Sequence, residues 1–214
     1  MPRFVVVPDS FKGSLTSMQA GSIIAESIHK HFPSAGIDVI PVADGGEGTV
    51  EALVKAASGE LVDTRATGPL GRVIDTRFGI LHGDTAVLEI ANVAGLPMVP
   101  KEERNPFNAT TRGLGELVKQ ALDRGLRKIV IGLGGSATND GGMGMLSELG
   151  VRFRDASGEL LRGFGRDVGQ AASVDFGGLD PRLAECELIA GCDVKNPLCG
   201  PEGASRIFGP QKGA

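Results

Sequence analysis

The side chains best suited to chemistry cluster in residues 129–144, IVIGLGGSATNDGGMG, where six glycines surround Ser136, Thr138, Asn139 and Asp140. Gly134, Gly135, Gly141 and Gly142 carry no Cβ to keep a ligand away from backbone N–H groups, and such groups in series cradle anions. An apolar strand over 128–133 precedes the run. A helix expected over 140–149 would turn its positive end toward the same place. The chemistry implied is the holding of a phosphate or carboxylate.

Two phosphate motifs can be tested against this stretch. The P-loop pattern requires Lys followed by Ser or Thr after its last glycine, and neither follows here. The dinucleotide pattern G-x-G-x-x-A is met by Gly132, Gly134 and Ala137, with Asp155 beyond a second strand over 151–154. That match supports an alternative reading as a nicotinamide-dependent oxidoreductase. Against it stand Asp140, which would face a pyrophosphate, and a helix that is short for a crossover.

Other polar groups recur at the ends of expected strands, where ligands gather in open α/β sheets. Asp9, Ser10 and Lys12 follow a strand over 4–7, and Asp44 and Glu47 follow one over 37–42 in the turn DGGEG. Carboxylates on such a turn suit Mg²⁺, which takes one or two of them plus water and phosphate oxygens. Equally, Asp44 with Glu47 three residues on suits the capping of a helix over 49–58. Glu89 and Asn92 end a later strand, and Asp193 and Lys195 follow one over 187–192. Lys212 lies in a glycine-flanked terminal loop.

The elements that must position these groups form an α/β pattern. A helix capped by Thr16 and Gln19 presents Ala20, Ile23, Ile24 and Ile28 on one face and ends at Phe32-Pro33. From 61 to 90 the pattern becomes alternation, interrupted by Gly68-Pro69-Leu70-Gly71, which predicts an antiparallel meander. That switch puts a domain boundary near Asp63, giving an α/β domain over 1–62 and a second over 63–214. The proline-bearing stretch 95–108 reads as loop, and Leu114, Leu117, Val118, Ala121 and Leu122 define an amphipathic helix ended by Gly125. His29, His31 and His82 have no partners at metal-ligand spacing.

The bulk properties narrow the classes. With 214 residues, 41% hydrophobic, the chain can bury a substantial core. A formal net charge of −4, a pI near 5.4 and no Trp or Tyr argue against nucleic-acid binding. Cys186, Cys192 and Cys199 are an odd number without a C-x-x-C pair, so a reducing, cytoplasmic setting is expected. The first residues contain neither a signal peptide nor a membrane span. The chain stops within its last loop, which suggests an architecture incomplete at the C-terminus.

Five stretches together, DSFKG from Asp9, DGGEG from Asp44, GGSATNDGGMG from Gly134, CDVKNPLCG from Cys192 and FGPQKGA from Phe208, resemble the bacterial glycerate kinases that are not P-loop enzymes. The resemblance runs from Met1 to Ala214. It implies a two-domain α/β kinase with the site between the domains, transferring a phosphoryl group from ATP to a hydroxyl of D-glycerate, chiefly to give 2-phosphoglycerate. Family members continue well past residue 214, so a truncated, inactive module is a third reading. Laid over these motif positions, the chemistry of phosphoryl transfer assigns phosphate contacts to Gly134, Gly135, Ser136, Ala137, Thr138 and Asn139, and Mg²⁺, held directly or through water, to Asp44 and Asp140. Asp193 is the expected base, with Asp9 its alternate. Lys12 and Lys195 neutralise the glycerate carboxylate or the transferring phosphoryl, and Ser10 and Lys212 complete the substrate contacts.

Overall fold

The computed structural model describes residues 1–11, 14–192 and 194–214. Strand β1 (Arg3–Val6) and strand β2 (Gly36–Val39) pair in parallel across helix α1 (Ser17–His31), the βα unit expected from the sequence. The capping box is present: Thr16 Oγ1 accepts from Gln19 N at 3.2 Å, and Gln19 Oε1 accepts from Thr16 N at 2.9 Å. The apolar face differs from expectation, because Ile23 and Ile24 are exposed while Ser17, Ala20 and Gly21 are buried. The helix rotates its small-residue stripe inward, where the Ser17 hydroxyl donates to the Pro8 carbonyl at 2.7 Å and accepts from Val42 N at 3.1 Å.

After helix α2 (Thr49–Ala56) comes the meander of β3 (Glu60–Thr67), β4 (Val73–Leu81) and β5 (Thr85–Glu89). The boundary expected near 63 falls inside β3, where Asp63 pairs with Arg77. Short-range alternation marks consecutive strands but does not say which earlier helix packs on them, and α2 from the first segment does.

Helix α3 (Ala91–Ala94) and short 3-10 turns lead to helix α4 (Arg112–Asp123) and the buried strand β6 (Lys128–Gly132). Strand β9 (Glu187–Gly191) completes a five-stranded sheet of order β3-β4-β5-β6-β9, antiparallel through β5 and parallel beyond. One face packs on α4 through Phe78, Leu88, Ile129, Leu114 and Leu117. The other packs on α2, where Val87 and Val130 meet Val50 and Val54. Burying such side chains stabilises the fold by roughly 1.5–3 kcal/mol each, which makes this two-sided core the rigid platform of the molecule.

Helix α5 (Met143–Glu148) and the hairpin of β7 (Arg152–Arg154) with β8 (Ser173–Asp175) form a separate cluster around Met143, Val151 and Phe153. Helix α6 (Ala204–Phe208) leads into the terminal stretch 208–214, read from sequence as loop, which contains a 3-10 turn at Pro210–Lys212. Among the described residues no helix is long and apolar enough to cross a membrane.

Candidate active site

The parallel strands end level with one another. Glu89 of β5 pairs with Gly132 of β6, and Gly132 pairs with Gly191 of β9. Onto this rim the DGGEG turn folds so closely that side chains are excluded. A Cβ added to Gly132 would lie 2.6 Å from the Gly45 carbonyl oxygen, and one on Gly134 would lie 2.7 Å from Gly46 Cα. Gly134 N donates to the Gly45 carbonyl at 2.8 Å, joining the two glycine turns.

These contacts remove the dinucleotide reading. Gly132 and Gly134 are glycines because backbone crosses them, which leaves no room there for a pyrophosphate. No helix follows directly, since residues 133–142 form a loop, and β7 pairs with β8 rather than entering the sheet beside β6. Asp155 sits in an exposed turn, where it accepts from Ser157 N at 2.9 Å and Ser157 Oγ at 2.7 Å. A pattern of spacing cannot distinguish close backbone packing from close ligand approach.

The loop itself is held at several points. Leu96 N donates to the Gly135 carbonyl at 2.8 Å, and Ala137 N donates to the Ala94 carbonyl at 2.7 Å. Lys212 Nζ donates to Ser136 Oγ at 3.0 Å and to the Thr138 carbonyl at 2.7 Å. Burial lowers the Lys212 pKa below the usual lysine range, and Asp140 acts in the opposite direction. Asn139 Nδ2 bonds Ser205 Oγ at 3.0 Å, so α6 also braces the loop. Among the described residues the N–H groups of Gly135, Ser136, Thr138, Asn139 and Gly141 have no protein acceptor. Donors left without a protein partner on a braced loop are free to bond to water or to an anion.

The two carboxylates expected to share a metal are differently placed. Asp140 is buried, and its carboxylate accepts from Thr111 N at 2.8 Å, Thr111 Oγ1 at 2.7 Å, Gly142 N at 3.0 Å and Gly144 N at 3.2 Å. It is committed to the start of α5 and does not fit a metal-ligand role. The helix-end argument is corrected with it, since α5 begins at Met143 and its first N–H groups already hold Asp140. Asp44 is exposed and accepts one bond among the described residues, from Gly46 N at 3.0 Å. Its other oxygen fits a cation that takes one protein carboxylate and fills its shell with water and phosphate oxygens. Among the described residues no cluster of three His, Cys, Asp or Glu forms a ready-made metal cage.

Nor does Asp44 cap α2. The cap position is Gly48, in the left-handed region, and the helix start is held from a distance by Glu89, whose Oε1 accepts from Gly48 N and Oε2 from Val50 N, both at 3.0 Å. Glu89 is fully buried. Burial raises its pKa from 4.5 to about 7, with the Glu51 charge adding to the rise against the N–H bonds.

Asp9 is exposed beyond β1 and accepts locally from Ser10 N. Lys195 is exposed after β9. Lys12 and Asp193 lie outside the described residues. Thr111 and Ser205 were not found from sequence. Thr111 holds the cap position of α4, but its hydroxyl donates to Asp140 and accepts from Met145 N at 3.0 Å, a long-range use with no local signature. A cavity of about 450 Å³ borders Asp44, Gly45 and Gly132, with mostly apolar walls that include Leu53 and Val130.

A family model described as the glycerate kinase family matches residues 4–214. The chain belongs to the glycerate kinase family. It is 49% identical over 213 residues to the glycerate kinase of Bacillus subtilis (strain 168), covering 99% of this chain and 56% of that protein. It is 47% identical to the glycerate 2-kinase of Escherichia coli (strain K12), with the same coverage. A solved structure of a glycerate kinase 2 from Salmonella typhimurium LT2 matches at TM-score 0.83 and 46% identity, covering all of this chain and 57% of that one. The α/β fold is therefore that of a glycerate kinase over this span, and the chain spans slightly more than half the length of these relatives. The oxidoreductase reading has no support among them.

Proposed function

We propose that this chain carries the phosphate-handling part of an ATP-dependent kinase that phosphorylates D-glycerate, chiefly to 2-phosphoglycerate, in the cytoplasm. The observation that carries the reading is the braced loop 134–141, with its unpaired N–H groups, beside the exposed carboxylate of Asp44. Phosphoryl transfer asks chiefly for positioning and for neutralisation of charge. The N–H groups of Gly135, Ser136, Thr138 and Asn139 supply donors to the phosphates of the donor nucleotide. Lys212 supplies a positive charge at the same loop. Asp44 would hold Mg²⁺, which when bound neutralises charge on the transferring group. The apolar cavity beside Gly45 has a volume suited to a small ligand and takes the less polar part of the nucleotide.

Asp193, with Asp9 as alternate, orients the attacking hydroxyl, and Lys12 and Lys195 attract the glycerate carboxylate. Asp193→Asn should reduce turnover by about 10²–10⁴-fold with ATP affinity largely kept. A loss under about tenfold would remove it from the base role. The deciding experiment is ADP release by the 214-residue chain with ATP and Mg²⁺, with and without D-glycerate. Glycerate-dependent release is expected if the chain holds the whole site. Tight ATP binding without release would restrict it to nucleotide binding, and no binding by the folded chain would defeat the reading.

A further inference from the structure

Two peptide planes of the loop are fixed through their carbonyls. The Gly135 carbonyl accepts from Leu96 N, and the Thr138 carbonyl accepts from Lys212 Nζ at 2.7 Å. In a planar trans peptide the C=O and the next residue's N–H point in opposite directions. Holding the first carbonyl therefore aims Ser136 N–H away from Leu96, and holding the second aims Asn139 N–H away from Lys212. Those are two of the donors that have no protein acceptor among the described residues.

Leu96 closely follows α3, which packs on β4 and β5, but Lys212 arrives from 74 residues along the chain. It is carried by the short terminal segment, which is anchored by Ser205 on Asn139. The second bond of Lys212 goes to Ser136 Oγ, so its two acceptors flank Ala137 in sequence. The ammonium donates two hydrogen bonds to loop oxygens.

We propose that Lys212 is a positioning residue: by gripping Ser136 Oγ and the Thr138 carbonyl, it sets the peptide plane that presents Asn139 N–H to an anionic ligand. The ligand class is a nucleotide phosphate, so this rests on the function proposed above. Lys212 thus acts through the loop, in contrast to the direct substrate contact expected from sequence.

Amide exchange in the unliganded chain tests the grip without needing any ligand. Ala137 N–H, bonded to Ala94 and lying between the two points of grip, reports on it. In Lys212→Met its exchange should accelerate by about tenfold or more, as local opening becomes easier. Lys212→Arg, which retains donors, should restore most of the protection. Should Lys212→Met fail to fold, Ser136→Ala removes one point of grip and should still accelerate Ala137 by about threefold. Unchanged Ala137 exchange in the folded variant overturns the proposal, even if titration with magnesium ATP shows weaker binding, because the lysine would then act on phosphate directly. If wild type binds no ATP while Lys212→Met still loosens Ala137, the grip stands and the function proposed for the loop fails.

Discussion

The molecule contains two Asp-Gly-Gly turns that share one local hydrogen bond and differ in employment. At 44–46 and at 140–142 the aspartate Oδ1 accepts from the N–H two residues on, at 3.0 Å in both. Beyond that bond they part. Asp140 is buried and its second oxygen gathers Thr111 and Gly144, so the turn holds α4 and α5 together. Asp44 is exposed, and the helix after it is held by Glu89 from β5. A turn whose helix is capped from elsewhere can leave its own carboxylate facing outward. One sequence motif has become a structural joint in one place and a candidate ligand site in the other.

The widest separation between the two turns should appear in stability. Asp140→Ala leaves the N–H groups of Thr111, Gly142 and Gly144 buried without their acceptor, and the loss should be on the order of 3 to 5 kcal/mol. Urea denaturation would show it as a lowered midpoint at an unchanged slope. A loss below about 1 kcal/mol would mean that water replaces the carboxylate, and that the buried turn is no joint.

Glu89 gives a smaller effect, read through pH. Its pKa is raised to about 7 from 4.5, so between these values the folded chain binds a proton that the unfolded chain has released. Its contribution to stability is fully present below pH 4.5 and is lost as pH rises through about 7, a change of about 3 kcal/mol at most. Glu89→Gln should flatten that fall while costing about 1–3 kcal/mol, because a carboxamide has one acceptor oxygen for two N–H groups. An unflattened pH profile would show that Glu89 is ionised at little cost, and that α2 is capped by an ordinary carboxylate.

How much of this could be read beforehand follows from the range of each interaction. The capping box at Thr16 and Gln19, the meander with its Gly68–Gly71 turn, and the strand beginning at Lys128 are set by neighbours in sequence, and all appear as expected, the strand one residue shorter than its expected span to Leu133. The glycine-rich loop was legible for the same reason. The long-range bonds were not, because Glu89 reaches Gly48 across 41 residues, Thr111 reaches Asp140 across 29 and Lys212 reaches Ser136 across 76. Glycine spacing likewise misled, since Gly132 and Gly134 yield to the backbone at Gly45 and Gly46. Periodicity showed that α1 has an apolar stripe at Ile23 and Ile24 but not which stripe faces inward, and here the inward one is small.

Asp44→Asn should have the smallest effect on stability and says most about the contrast between the turns. The amide oxygen can still accept from Gly46 N, so the turn keeps its bond and loses only a charge that is exposed. A shift in the unfolding midpoint equivalent to less than about 0.5 kcal/mol is expected. Magnesium-dependent ATP binding should nevertheless weaken by about tenfold or more, since one carboxylate is the protein's share of an ion otherwise held by water and phosphate. Titration with ATP in the presence and absence of Mg²⁺ separates the two contributions: the variant and the wild type should differ only with the metal present. If they differ equally without it, Asp44 acts on the nucleotide through the loop at Gly134, and the exposed turn is a second joint like the buried one.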